Sequence, residues 1–192
     1  MDADRLNELR ARLWRLQQRL GVNEGIGSTW SAKTSDRATH KYILNGVKSF
    51  YELTDEIETM FVWVWSFKDH LKGHARNLGK SDRWVEAEAS ADLALSVCAD
   101  IANRLKHGEL RDSRSMKNPR LGSLTYSVPQ EAMGKLTVRA FELEFDVSKA
   151  DLVSFEMPII DRQGRVLGDA FEFLEKGTAH WEQLLQRIES AV

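Results

Sequence analysis

The feature that most constrains the fold is an amphipathic stretch, residues 96–108, that ends abruptly at a glycine. At 100° per residue, its apolar side chains and the alanine just before it share one continuous arc: Ala94, Val97, Cys98, Ile101, Ala102 and Leu105. Gly108 follows as a residue that can take the left-handed conformation that ends a helix. The pattern predicts a helix packed in a core by one face.

The other face of this stretch is polar. Asp100, Asn103 and His107 are spaced i, i+3 and i+7, so they stack above one another on a helix. Arg104 and Lys106 flank them. An acid, an amide, an imidazole and two cations thus converge in the last two turns, which is typical of a catalytic or binding site. The alternative is a solvated helix end whose cations offset the negative pole of the helix dipole.

Composition indicates a globular chain. Of 192 residues, 42% are hydrophobic and 29% charged, and this length suits a single domain, 1–192. The net charge of −2 gives no overall attraction to nucleic acid or membranes, so any such surface has to be local. The one cysteine, Cys98, forms no internal disulfide, and no signal peptide or membrane span is visible. We therefore expect a cytoplasmic protein without membrane contact.

Hydrophobic periodicity predicts several helices. Residues 3–20 form an amphipathic helix, and 40–108 a helical core that includes one long helix, or two broken near Thr54, over 40–77. A linker, 21–38, joins them, and a closing helix covers 168–191. Between helices, 122–167 shows strand-like alternation, with Phe141, Leu143, Phe145 and Val147 on one face and Glu142, Glu144 and Asp146 on the other. A change of parity predicts a bulge near Arg139 and Ala140, and the acidic face is a poor RNA surface.

The expected fold class is therefore α+β and mainly α. We predict an antiparallel helical bundle with a small C-terminal antiparallel β-sheet and a closing C-terminal helix.

A basic loop, residues 109–121, follows the helix that ends at Gly108. From residue 104 to 120 there are two acids and six cations: Arg104, Lys106, Arg111, Arg114, Lys117 and Arg120. One interpretation is a surface that contacts RNA phosphates beside the His107 helix end. The other is a mobile solvated loop.

A second polar cluster lies near the end of the long helix. Asp69, Lys72 and Arg76 repeat the i, i+3, i+7 spacing, and His70 and His74 lie at i and i+4 on another face. Two histidines so spaced can share a metal ion, but no further ligand follows at zinc spacing, so they are only weak metal candidates. In a simple antiparallel hairpin the two polar clusters would lie roughly 25 Å apart. They meet only in a symmetric dimer, or if the connection 77–89 alters the packing.

The segment from Asp100 to Leu110 resembles the signature of the HEPN superfamily, small helical domains often found as RNases in toxin–antitoxin and phage-defence systems. Asn103, His107 and Gly108 match the signature in kind and spacing, whereas the family's arginine position holds Ala102. Through its Phe-Lys-Asp and Asp-x-x-Asn-x-x-Lys-His elements the chain is also similar to bacterial proteins of unassigned activity.

The resemblance implies a metal-independent endoribonuclease without cofactors, in which the ribose 2′-hydroxyl attacks the adjacent phosphate. His107 would act in acid–base chemistry and Asn103 would orient it or a phosphate oxygen. Lys106 or Arg104 would stabilise the phosphate charge. The family pairs its motifs across a homodimer, which a tryptophan-rich central helix also favours. Ala102 supports an alternative, a non-catalytic accessory protein that docks a protein partner from the same operon.

Overall fold

The structure, a computed structural model, describes residues 3–34 and 37–190. Within them lie five α-helices and nine strands. In chain order they are α1 Ala3–Leu20, β1 Ser28–Lys33, β2 Thr39–Asn45, α2 Phe50–Asn77, α3 Asp82–Ala91, α4 Leu93–His107, β3 Arg120–Leu121, β4 Thr125–Ser127, β5 Met133–Arg139, β6 Glu142–Val147, β7 Ser154–Glu156, β8 Pro158–Ile160, β9 Val166–Asp169 and α5 Ala170–Ser190.

The predicted fold class is wrong. The described residues are 52% helical and 22% strand, and a strand-rich middle with three sheets replaces the expected small C-terminal sheet on a simple helical bundle. The sheets have the strand orders β1-β2-β6-β5, β3-β8-β9 and β4-β7. The largest is mixed, because β2 and β6 are parallel, whereas its other pairs are antiparallel. It also includes two strands that precede α2, so it is not confined to the C-terminal half.

The linker 21–38 and the helical start at residue 40 are the sources of this error. Both regions contribute to the antiparallel pair of β1 and β2, in which Trp30 lies opposite Tyr42. The segment 39–45 does not alternate polar and apolar residues, and its cluster of Tyr42, Ile43 and Leu44 fits the helical period that continues after it. The helix begins only at Phe50, where the Ser49 hydroxyl accepts a hydrogen bond from the Glu52 amide at 3.1 Å.

The predicted bulge near Arg139 is a chain reversal. The strands β5 and β6 pair as an antiparallel hairpin, with Arg139 opposite Glu142 across a turn at Ala140 and Phe141. The change of parity is real, but it arises because the chain turns back. No glycine or asparagine marks the turn, so the usual hairpin signal is missing.

The helices at the two ends are confirmed. The helix α1 covers the predicted residues, and α5 lies within one or two residues of its predicted bounds. The helix α4 ends before Gly108, which has φ 77°. Its N-cap is Asp92, whose carboxylate accepts a hydrogen bond from the Leu95 amide at 2.8 Å. No helix in the described part of the chain has the length and apolarity needed to cross a bilayer.

The described chain divides into two compact units. Unit 1 contains residues 3–18, 56–123 and 157–190, and unit 2 contains the described residues of 19–55 and 124–156. In the core of unit 1, Trp181 is fully buried and its indole N–H donates to the Val64 carbonyl at 2.7 Å. The core of unit 2 is a smaller cluster that includes Leu44, Val47 and Val153.

Candidate functional site

Asp100 is the anchor of the basic loop and lies in unit 1. Its side chain is fully buried, although sequence periodicity placed it on a polar face. The carboxylate accepts hydrogen bonds from the Ser113 hydroxyl at 2.7 Å and the Arg114 amide at 2.7 Å. Ser115 donates its amide at 3.0 Å and its hydroxyl at 2.6 Å. Four donors compensate the loss of water around the charge, so Asp100 holds the loop in place.

A second attachment joins the same helix to the end of the loop. Arg104 donates to the Pro119 carbonyl at 3.2 Å and to Oδ1 of Asn118 at 2.5 Å. Met116 and Asn118 have φ values of 59° and 51°, which are unfavourable for residues with a side chain. The strained backbone persists because Asp100 and Arg104 fix both sides of it. The segment 113–119 is therefore held by hydrogen bonds to α4, which argues against the interpretation of the basic loop as mobile and solvated.

Glu86 joins the basic loop to the second polar cluster. Its carboxylate accepts from Arg114 Nη2 at 2.7 Å and from Lys72 Nζ at 3.1 Å, and Lys68 lies 3.4 Å away. The Arg114 guanidinium and the Lys68 ammonium also lie over the Trp65 ring, at 4.8 and 4.3 Å from its centroid. Three cations therefore surround one carboxylate.

This arrangement also decides the charge of Glu86. Burial by itself would raise the pKa of the carboxyl group. The hydrogen bonds from Lys72 and Arg114, together with the charge of Lys68, outweigh burial and lower the pKa from 4.5 to about 2. Glu86 is thus ionised at neutral pH, and it neutralises only part of the cationic group around it.

The helix α3 links the second polar cluster to the basic loop. It lies in the connection 77–89, and its Glu86 bonds to Lys72 of that cluster and to Arg114 of the loop. Among the described residues, no hydrogen bond or ion pair joins Asn103 or His107 to the second cluster. The expectation that the two polar clusters meet in a symmetric dimer therefore stays a prediction.

Three cations of the loop differ from Arg114 in their surroundings. Arg111, Lys117 and Arg120 are exposed, and none of them forms an ion pair or a side-chain hydrogen bond within residues 3–34 and 37–190. Arg114, in contrast, is held by Glu86 and donates to Ser90 Oγ at 2.6 Å. The loop therefore carries one structural cation and three available ones.

The predicted catalytic residues at the end of α4 are less organised. His107 is exposed, and in the described part of the chain its imidazole has no hydrogen-bond partner. Asn103 is half-buried, and Lys106 is exposed with its ammonium 3.5 Å from Ser66 Oγ. His107 lines none of four cavities of 450–500 Å³ formed by the described residues. This helix end is accessible and lies outside those four cavities.

The remaining members of the second cluster separate into pairs. Asp69 lies 3.5 Å from Lys68, and Arg76 lies 3.8 Å from Asp82. Burial, and then repulsion by Arg5, lower the pKa of His70, while Asp69 acts in the opposite direction.

The two histidines do not belong to a larger donor set. His74 Nε2 is 3.8 Å from Glu189, beyond hydrogen-bond distance. Over the described residues, no three side chains of the His, Cys, Asp and Glu types are grouped as metal ligands. His70 and His74 thus have no further protein ligand there.

The acids on the predicted face of β6 have hydrogen-bonding partners within unit 2. Glu142 pairs with Lys41 at 3.0 Å and with Arg139 at 2.6 Å. Asn45 donates to Glu144 at 3.1 Å and to Asp146 at 2.8 Å. The neighbouring strands supply these groups, and their pairing was not predicted from the sequence.

Sequence reasoning missed Glu86, Trp65 and the two serines that bind Asp100. Glu86 lies within the predicted helical core, 40–108, but no periodicity marks it as a shared acceptor. The Ser113-Arg-Ser115 spacing was the available signal, because alternate hydroxyls can bind one carboxylate.

The comparisons with known proteins give no relative for this chain. No family model, no curated protein and no solved structure matches it. The HEPN resemblance therefore stays a prediction based on Asn103, His107 and Gly108.

Proposed function

We propose that the basic loop of unit 1 binds RNA through its phosphates. The observation that carries the proposal is the loop itself, which Asp100 fixes while Arg111, Lys117 and Arg120 stay available. A preorganised loop loses little conformational entropy on binding, so its cations act at low cost. Lysine and arginine contacts to phosphates are the sequence-independent part of RNA binding.

Binding of a short fluorescein-labelled single-stranded RNA, measured by anisotropy, tests the proposal. The triple variant Arg111→Glu, Lys117→Glu and Arg120→Glu should weaken binding by at least about tenfold. A matched control reverses three exposed lysines of unit 2, namely Lys33, Lys135 and Lys149. The control keeps the charge change but should affect affinity by less than about threefold. Equal losses in the two variants would reject the loop as the binding site.

Cleavage at the end of α4 is the narrower part of the proposal. A metal-independent endoribonuclease would use His107 for proton transfer while Asn103 and Lys106 contact the phosphate. Asp100 and Arg104 hold the loop, so they are not available to the reaction. The family resemblance alone suggests a bacterial defence or toxin–antitoxin system.

An RNA cleavage assay in a metal chelator separates the two activities. His107→Ala should reduce cleavage at least about 100-fold and leave RNA affinity unchanged, since general acid–base groups contribute at this level. His40→Ala in unit 2 is the matched control and should retain full activity. Cleavage that is equal in wild type and His107→Ala would leave an RNA-binding protein without this catalytic residue.

The alternative is a non-catalytic accessory protein that docks a protein partner encoded nearby. One observation favours it: Ala102 is fully buried, so the position of the family's arginine faces the core. A wild-type protein that binds no RNA, while His107→Ala keeps its cellular function, would support this alternative.

The homodimer remains a proposal with a narrower basis. Of the central tryptophans that suggested it, Trp65 is 7% exposed, whereas Trp63 is half-buried with Arg12 4.1 Å from its ring centroid. Light scattering during size-exclusion chromatography measures the oligomeric state. A mass of one chain at every concentration would rule the homodimer out.

A further inference from the structure

Unit 2 contains a cavity that the RNA-binding proposal does not use. Its volume is about 500 Å³, and its nine lining residues carry no charge at neutral pH. Four of them are aromatic, namely Trp30, Phe50, Tyr126 and Phe145. The volume lies within the range of about 300–1,000 Å³ that is usual for small-molecule sites.

The rings around the cavity form a connected set. Phe50 and Tyr126 stack with their centroids 4.2 Å apart and an interplanar angle of 16°. Trp30 and Phe50 form an edge-to-face pair, with their ring centroids 5.9 Å apart and an interplanar angle of 81°. Trp30 nevertheless keeps 39% of its surface exposed. An exposed indole in a fixed ring cluster is a ready surface for another ring.

The hydroxyl groups at the cavity are already used by the protein. Tyr126 donates to the Lys48 carbonyl at 2.6 Å, and Thr125 donates to the Glu156 carbonyl at 3.3 Å. Burial raises the pKa of the Tyr126 phenol, so it stays neutral. A charged ligand would lose hydration here and gain no opposite charge.

We propose that this cavity binds an uncharged aromatic molecule of two or three rings, with one flat ring system stacked against Trp30. The ring walls favour a planar aromatic over a flexible chain, because offset and edge-to-face contacts add to apolar burial. The absence of charge among the lining residues favours a neutral ligand. The site is independent of the RNA-binding loop.

Two fluorescent probes with the same ring system test the chemistry. N-phenyl-1-naphthylamine is neutral, and 1-anilinonaphthalene-8-sulfonate carries an added sulfonate. We expect the neutral probe to bind saturably to one site per chain, and the anionic probe to bind at least about tenfold more weakly. Equal affinity for the two probes, or no saturable binding of the neutral one, would overturn the proposal.

Variants assign the neutral probe to the cavity. Trp30→Ala should weaken its binding by at least about tenfold, whereas Phe141→Ala, an exposed aromatic of unit 2 outside the cavity, should change it less than twofold. Thr125→Trp, at an exposed lining position, should block the cavity without removing a core contact. Thermal unfolding establishes that each variant is folded. Unchanged probe binding in folded Thr125→Trp contradicts the site, even if Trp30→Ala does not fold.

Discussion

At the scale of single residues, Asp100 shows how a buried charge becomes an organising group. It lies on the helix α4, yet its four hydrogen bonds all go to residues 113–115. Asp100→Ala leaves those donors without an acceptor and should cost about 2–4 kcal/mol of unfolding free energy. The amides of Arg114 and Ser115 should also exchange hydrogen much faster.

Thermal unfolding measures the loss of stability, and hydrogen exchange measures the protection of the two amides. Asp100→Asn is the matched control for both. The amide side chain keeps one acceptor oxygen, so it should retain part of the protection. If the amides of Arg114 and Ser115 stay protected in Asp100→Ala, then Asp100 does not hold the loop.

Glu86 gives a prediction for pH. Because its pKa falls from 4.5 to about 2, its stabilising contribution is complete above pH 4.5 and is lost as the pH falls towards 2. Glu86→Gln should therefore cost about 1–2 kcal/mol at pH 7, discounted because 32% of the side chain is exposed. Most of the difference from wild type should be lost by about pH 2, and the rest below it. Urea unfolding across this pH range measures it, with Glu175→Gln as an exposed control that should show no such trend.

At the scale of elements, Gly177 permits close packing of α5 in unit 1. An added Cβ would lie 3.2 Å from Val64 Cγ1 and 3.3 Å from Cys98 Sγ. Gly177→Val should therefore destabilise the protein by about 2 kcal/mol or more through overpacking. Lys176→Val, on the exposed side of the same helix, should cost less than about 1 kcal/mol. Similar melting temperatures for the two variants would show that the glycine is not needed for packing.

Local pattern predicts the helices well and the sheets poorly. The helices α1, α4 and α5 have strong periodicity and clear ends, so their positions follow from nearby residues. The parallel pairing of β2 with β6 joins segments about a hundred residues apart, and no local signal encodes it. The loop cations were predicted, but Glu86 was not, because only tertiary packing brings α3 between Lys72 and Arg114.

At the scale of the whole molecule, net charge is a poor guide to where an anion binds. The chain carries −2 overall, and the acids in its strands are paired with neighbouring cations and amides. The loop 109–121 places three exposed cations without an ion-pair partner in the described residues, Arg111, Lys117 and Arg120, within ten positions of one another. Binding should therefore depend on a few local contacts, and salt should weaken it in proportion to their number.

The salt dependence of RNA affinity tests this central claim most directly. For single-stranded RNA each phosphate contact contributes about 0.7 to the slope of log affinity against log salt, so three loop cations predict a wild-type slope of about −2 or steeper. The variant with Arg111, Lys117 and Arg120 changed to alanine should have a slope smaller by about 2. An unchanged slope in that variant would contradict the account, because the phosphates would then be bound elsewhere.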